Sequence, residues 1–393
     1  MRPIRSVTLS ALTAAALVLS GSACQSGEET GSVEEIIIGA DLELSGPTAA
    51  IGQAYRRALE LKISQVNDSG VLGDRTLKLD IKDNGTDTSR SLTNVGEFAN
   101  NPDVAAIIMG TCAECVVKAV DTVEGRRIPT IALAPAGNVA SPVNERQWVF
   151  KVGPNAVDNA AALTAELTAD KRTRVGVLFA DDAYGREGRD ALEDAIEGAA
   201  GAAQDIEISG KVPVRPTDTD VSQAMETLLE TEPDAIVVWT FAEQAALAAA
   251  NAKQAKFRGG LYFDAAAAGD LFLSGQPAIN GATMVFTQTM VIDGVIATTP
   301  ATAARKQWFR DYTAQYGSYY GFSSFAADAV QMVTNALQQS PTVSRDSIRS
   351  IVETSQFDGL SGPIRITPDN HSGLMPQALT VLVARSGRWH LAS

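Results

Sequence analysis

RVGVLFADDAYG, residues 174–185, runs an apolar strand without alternation straight into a polar turn and the start of a helix. A strand apolar on every residue is buried on both faces, as the strands of a parallel sheet are. The helix predicted after it, 186–199, is followed by DIEISGKV (205–212), a helix over 220–230, AIVVWT (235–240), a helix over 242–254, GLYFD (260–264) and ATMVFTQ (282–288). Working back toward the N-terminus, the same rhythm has already run once. IIIGADL (36–42) is a near-continuous apolar strand, and Ala54, Ala58, Leu59, Ile63 and Val66 form a helical stripe that Gly70 ends. LKLDIKD (77–83), a helix capped by Thr88 or Ser89 and reaching Ala99, VAAIIM (104–109), a helix over 115–125 and PTIALA (129–134) complete that set. Trp148 to Val152 reads as an extended connector, and Asn155 starts the next helix. Two runs of strand–helix–strand predict two α/β lobes with parallel sheets, each covered on both faces. Helices at 301–316, 322–339 and 344–355, a strand from Gly362 to Thr367 and a strand pair near 378–390 finish the chain.

The N-terminus states where the protein works. Arg2 and Arg5 precede an apolar run from Val7 to Leu19, and Ser20-Gly21-Ser22-Ala23 leads to Cys24. That order of charge, apolar segment and small residues predicts a secretory signal over residues 1–23, too short to span a bilayer. The cysteine at its exit resembles the lipobox of bacterial lipoproteins, with Gly21 standing where a leucine is usual. We expect lipidation at Cys24, with 24–33 as a polar tether (QSGEETGS over 25–32); the alternative is ordinary cleavage near Ala23 and a free thiol. The formal charge is −14, and removal of Arg2 and Arg5 with the leader makes it −16. So acidic a body argues against nucleic acid and against broad adhesion to anionic lipid.

Enzyme chemistry finds little to work with. The only histidines are His371 and His390, neither placed after a strand of the repeating units, and phosphate-loop and metal motifs are absent, so no cofactor is expected. Asp181-Asp182 suits acid–base work, but adjacent carboxylates at a strand–helix junction are more often one cap and one solvated charge. Cys112-Ala113-Glu114-Cys115 has the local context of a thiol oxidoreductase; outside the cytoplasm the simpler reading is a disulfide bracing its loop.

Several segments carry a family resemblance. Leu44-Ser45-Gly46-Pro47 with Ile51-Gly52-Gln53, the stretch ISQVNDSGVL (63–72), Ile128-Pro129, DDAYG (181–185) and FDGLSG (357–362) occur in the order seen in type I periplasmic binding proteins. They are most similar to the leucine/isoleucine/valine-binding branch that serves ABC importers, over about residues 34–390. The resemblance implies two Rossmann-like lobes joined by three crossing strands, with 34–152 plus 286–356 in lobe 1 and 153–285 plus 357–393 in lobe 2. It implies a non-enzymatic monomer that closes on a branched-chain or other amino acid, or a related amide or acid, and works with permease and ATPase subunits. A sensor reporting to a membrane receptor has the same fold and stays open as an alternative.

In such sheets ligands meet the loops at the carboxyl ends of the strands. The candidate ligand residues are therefore Ser45 in the first loop, Thr111, Cys112, Ala113 and Glu114 in the second, and Ala134, Pro135 and Ala136 in the third. From the other lobe come Tyr184, Trp239, Thr240, Phe241 and Asp264. The resemblance assigns the ligand carboxylate to hydroxyls and backbone N–H groups of the first-lobe loops and the ammonium to an acid of the second. This chain departs from it: Gly110 to Cys115 has no paired serines, ALAPAG (132–137) has no hydroxyl, and Asp264 is the nearest acid to the expected place. Tyr184, Trp239 and Phe241 supply aromatic surface instead, with Trp239 alternatively packed between helix and sheet.

Overall fold

A computed structural model describes residues 34–265, 268, 280–340 and 342–392. The leader, Cys24 and the tether lie outside the described residues.

The first sheet has the order β2-β1-β3-β4-β5 and is parallel throughout: β1 Glu34–Leu42, β2 Arg75–Asp83, β3 Val104–Met109, β4 Thr130–Ala132 and β5 Val149–Lys151. Every residue of β3 is buried, as an apolar run without alternation requires. Helices α1 (Ala49–Ser69), α2 (Thr88–Asn100) and α3 (Ala113–Arg126) connect the strands. Gly70 ends α1 with a left-handed φ of 63°, as its position predicts. The cap of α2 is Asp87, whose side chain accepts from Arg90 N at 2.7 Å, instead of Thr88 or Ser89. A carboxylate there also answers the positive end of the helix. The expected connector at 148–152 forms β5, because Thr130 to Ala132 leave a free strand edge that Val149 to Lys151 pair with.

The second sheet has the order β14-β13-β10-β9-β8-β6-β7. Helix α4 (Ala156–Ala169) leads into β6 Arg174–Ala180, α5 Ala183–Glu197, β7 Glu207–Val214, α6 Ser222–Leu229, β8 Ala235–Trp239, α7 Ala242–Gln254, β9 Gly260–Phe263 and β10 Thr283–Thr287. α5 begins three residues earlier than its periodicity suggests, because Asp182 accepts from Gly185 N at 2.8 Å and caps it there. The last pair, β13 Leu379–Arg385 and β14 Arg388–Leu391, extends the β10 edge antiparallel. Helices α8 (Pro300–Tyr316), α9 (Ser323–Gln339) and α10 (Arg345–Val352) return to the first sheet, and Arg345 ties α10 to the carbonyls of Ala99, Asn101 and Val104. The strand expected over 362–367 is shorter, β12 Pro363–Arg365, paired with β11 Gln356–Asp358 as a hairpin.

The chain passes between the lobes near Lys151, between Thr287 and Pro300, and through 359–376. The first and third passages are tied together: Lys151 N donates to His371 O at 2.9 Å and Gly373 N to Lys151 O at 2.7 Å. The second is tied to the hairpin by Thr289 Oγ1 donating to Leu360 O at 2.6 Å. His371 is fully buried, its Nδ1 between the carbonyls of Arg146 and Val149 and its ring on Phe150, a packing role. His390 lies on the exposed edge strand β14. No helix among the described residues is long and apolar enough to cross a membrane.

Candidate functional site

At the carboxyl end of the first sheet, β1 delivers two buried acids on one side of the strand. Asp41 accepts from Asn94 Nδ2 at 2.8 Å, from Asn84 Nδ2 at 3.1 Å and from Ser91 Oγ. Glu43 accepts from the backbone N–H groups of Thr111 (2.9 Å) and Cys112 (3.1 Å) and from Asn84 Nδ2 (3.3 Å). Both acids are fully buried, which raises their pKa values, while the converging N–H groups hold Glu43 back. Gly110 permits the approach, since a Cβ there would stand 2.1 Å from Glu43 Oε2. Neither acid was singled out by the sequence reading. The signal was two carboxylates, two residues apart, at the end of an otherwise apolar strand.

The other first-lobe candidates divide. Thr111, Cys112, Ala113, Ala134, Pro135 and Ala136 are buried at the strand ends, and Cys112 and Cys115 are joined as a disulfide in the first turn of α3. Ser45 is exposed, and its hydroxyl donates to Asp83 Oδ2 at 2.6 Å, so it serves the turn before Gly46-Pro47. Tyr55 of α1 joins the cluster, its hydroxyl 3.4 Å from Leu133 O.

On the second lobe, Asp181 pairs with Arg186 at 2.7 Å and Asp182 is the helix cap, its pKa pushed up to about 6 by burial. The adjacent carboxylates are thus one solvated charge and one cap. Tyr184 lies against Trp239 and Phe241, at centroid distances of 6.4 and 5.3 Å. The expectation that Trp239 ends exposed in the cleft is corrected: it is 1% exposed and lies under α5, where a Cβ on Gly188 would be 2.1 Å from its ring. Strand alternation sends Val237 and Trp239 to the same face, which α5 covers. Phe241, beyond the strand, is half-buried, and Thr240 donates to Phe241 O at 3.3 Å. Asp264 follows the last residue of β9 and is buried. The hydroxyls of Tyr184 and of Thr287, at the end of β10, are buried without a hydrogen-bond partner among the described residues.

Two carboxylates bridge the lobes reciprocally. Glu114, in the first turn of α3, accepts from Ala183 N at 3.0 Å, at the start of α5. Glu187 of α5 accepts from Gly137 N through both oxygens, at 2.9 and 2.7 Å. Each helix or loop N–H thus meets an acid of the opposite lobe, and burial raises the pKa of Glu187. An open groove of about 700 Å³ lies away from these strand ends, between α4 and α5, lined by Val157, Ala161, Thr164 and Ala195. No cluster of potential metal ligands occurs among the described residues.

The profile of the periplasmic binding protein family matches residues 35–388. The chain belongs to that family. Solved structures agree in fold over nearly their whole length. An extracellular ligand-binding receptor from Rhodopseudomonas palustris HaA2 superposes with a TM-score of 0.80 at 22% identity, covering 91% of this chain and 99% of that one. The leucine binding protein LivK from Thermotoga maritima gives 0.78 at 19% identity, with 91% and 98% covered. An ABC transporter substrate-binding protein from Desulfitobacterium hafniense, in complex with Leu, gives 0.73 at 18% identity, with 91% and 100% covered. The periplasmic binding protein fold described here is therefore of type I, two α/β lobes with their strand ends facing each other, in a solute-binding class.

Proposed function

We propose that this chain is the extracytoplasmic solute-binding lipoprotein of an ABC importer, anchored through Cys24, that captures a branched-chain or other amino acid, or a related amide or acid, between its lobes and hands it unchanged to a permease. The observation that carries the reading is the pair of reciprocal bridges, Glu114 to Ala183 and Glu187 to Gly137, which span the two sets of strand ends and give closure a physical device. Family membership and the Leu complex of the Desulfitobacterium protein support the ligand class. On this reading Thr111, Cys112, Ala113, Glu114, Ala134, Pro135, Ala136, Tyr184, Thr240, Phe241 and Asp264 surround the ligand. Ser45 and Trp239 support the loops and the ring behind it. The lobes divide as 34–152 with 288–356 and 153–287 with 357–393, two residues beyond the boundary expected at 285, because β10 keeps Phe286 and Thr287 in the second sheet.

The test is a thermal-shift screen of amino acids, their amides and small aromatic acids. A ligand at one hundred times its dissociation constant stabilises the fold by about 2.7 kcal/mol, enough to see as a raised melting temperature. Chemical conversion of any hit during incubation refutes the binding-only mechanism. Retention of a Cys24→Ser variant in the membrane fraction refutes the anchor.

A further inference from the structure

The contact between the lobes gathers like charges. Glu114 of α3 crosses to Ala183 N and there stands beside Asp182, the preceding residue. Glu187, further along α5, crosses the same seam in the other direction to Gly137 N. Asp182 takes no part in the bridges: its carboxylate accepts from Gly185 N at 2.8 Å, within its own helix. The nearby cations are engaged elsewhere. On α5, Arg186 pairs with Asp181 and Arg189 with Asp190, each at 2.7 Å. Beyond β7, Arg215 donates to Asp218 at 2.9 Å. Where β5 leads into α4, the Lys151 ammonium is held by Gly153 O, Pro154 O and Asn155 Oδ1, and Asp158 of α4 takes Asn155 Nδ2 at 2.9 Å. On the first lobe, Arg146 donates to Asn138 O at 3.2 Å, and Lys118 of α3 is exposed to solvent.

We propose that this seam is a proton switch centred on Asp182: a proton taken up there removes the charge that faces Glu114, so that mild acid draws the lobes together and neutral pH lets them part. The proposal rests on the lobe closure proposed above and adds a control to it. In the arrangement described here, burial pushes Asp182 up to about 6, with the charge of Glu114 acting in the same direction. Burial also raises Glu187, although the Gly137 N–H and Lys151 favour its charged form. Parting the lobes takes Glu114 away from Asp182 and returns water to both carboxylates, so each holds its proton less tightly. The cap bond to Gly185 N lies inside α5 and is common to both arrangements. A proton bound more tightly by the closed form favours closing; the gain for Asp182 is complete below its ordinary value of 3.8 and is lost as pH rises through about 6.

Pulsed electron resonance on the purified mature protein, with spin labels at the exposed positions Asp121 of α3 and Glu197 of α5, measures the lobe separation at pH 5 and pH 7 without any ligand. The expected result is a ratio of short to long distances about threefold larger, or more, at pH 5. Asp182→Asn keeps an equally good cap and cannot titrate. It is expected to be more closed than the wild type at pH 7 and to lose most of the pH response. Wild-type distances that are equal at the two pH values, or longer at pH 5, overturn the proposal, as does a full pH response in Asp182→Asn. Should that variant fail to fold, Asp182→Ser also caps without a carboxylate and is held to the same outcome. The Glu114→Ala, Glu187→Ala double variant separates the switch from closure itself. If its distances lengthen at pH 7 while the wild type ignores pH, the switch alone falls; if neither perturbation moves the distances, closure falls with it.

Discussion

Replacing Glu187 by alanine removes one of the two bridges between the lobes without touching the strand ends themselves. Gly137 N donates to both of its oxygens, at 2.9 and 2.7 Å, so one amide loses a charged acceptor. A hydrogen bond to a charged group contributes about 1.5–3 kcal/mol, and half-burial of Glu187 puts this one at the lower end. The bridge exists only while the lobes touch, so its loss subtracts from closure and not from the stability of either lobe. About 1.4 kcal/mol is a factor of ten in the closing equilibrium, and ligand affinity falls by up to that factor because binding draws on the closed population. Spin labels on exposed positions of α3 and α5, Lys118 and Glu197, report the lobe separation by pulsed electron resonance. The expected outcome is a longer, broader distance distribution in Glu187→Ala, more so when combined with Glu114→Ala. Glu193→Ala, whose partner Lys211 lies on the same lobe, is the control and stays at the wild-type distance. A double variant indistinguishable from wild type in distance and affinity refutes the claim that these carboxylates hold the lobes together.

Gly188→Ala drives a Cβ into the buried Trp239 ring, and overpacking of about 1–3 kcal/mol, only partly offset by better helix propensity, lowers the melting temperature by a few degrees; an unchanged melting temperature refutes the packing. Tyr184→Phe removes a buried hydroxyl that has no described partner, so a melting temperature equal to or above wild type together with ligand affinity weakened about fivefold places that hydroxyl on the ligand, and unchanged affinity refutes it. Asp328, which accepts from Leu360 N and Ser361 N, is pushed by burial from 3.8 to about 6. The folded protein therefore binds that proton more tightly than the unfolded chain, and the associated stability is complete below pH 3.8 and lost as pH rises through about 6. Calorimetry is expected to show a higher melting temperature at pH 5 than at pH 7, with a smaller difference in Asp328→Asn; an equal difference in the variant rules out Asp328 as the source.

The α/β rhythm was legible because it rests on local pattern. Unbroken apolar strands such as Val175 to Ala180, helical stripes and Gly70 at a helix end each follow from one stretch of chain. What the pattern cannot carry is pairing between distant residues. Glu43 meets Thr111 and Cys112 across 68 and 69 positions, and Glu187 meets Gly137 across 50, so neither acid announces its partner in the sequence. The choice between the two positions open to Trp239 is settled by a residue far away in sequence for a related reason. A strand-end aromatic looks the same in sequence whether solvent or a helix lies above it, and the deciding residue was Gly188, whose missing side chain makes room for the ring. Ser45 lies in the loop after β1, and Asp83, which claims its hydroxyl, comes from the neighbouring strand, a pairing no local pattern announces.

Lys151 has a mechanical consequence. Its ammonium is sunk without solvent at the first passage between the lobes and knotted to the carbonyls of Gly153 and Pro154 and to the side chain of Asn155, which precedes α4. Burial brings its pKa down to about 7, and stripping such a group of its partners costs several kcal/mol. If the lobes close as proposed, the swing would carry 151–155 along as a rigid collar turning with α4. On the proposed closure the third passage would travel with that collar, bonded to Lys151 through His371 O and Gly373 N, and the bending would be left to the strand before it and to the passage between Thr287 and Pro300.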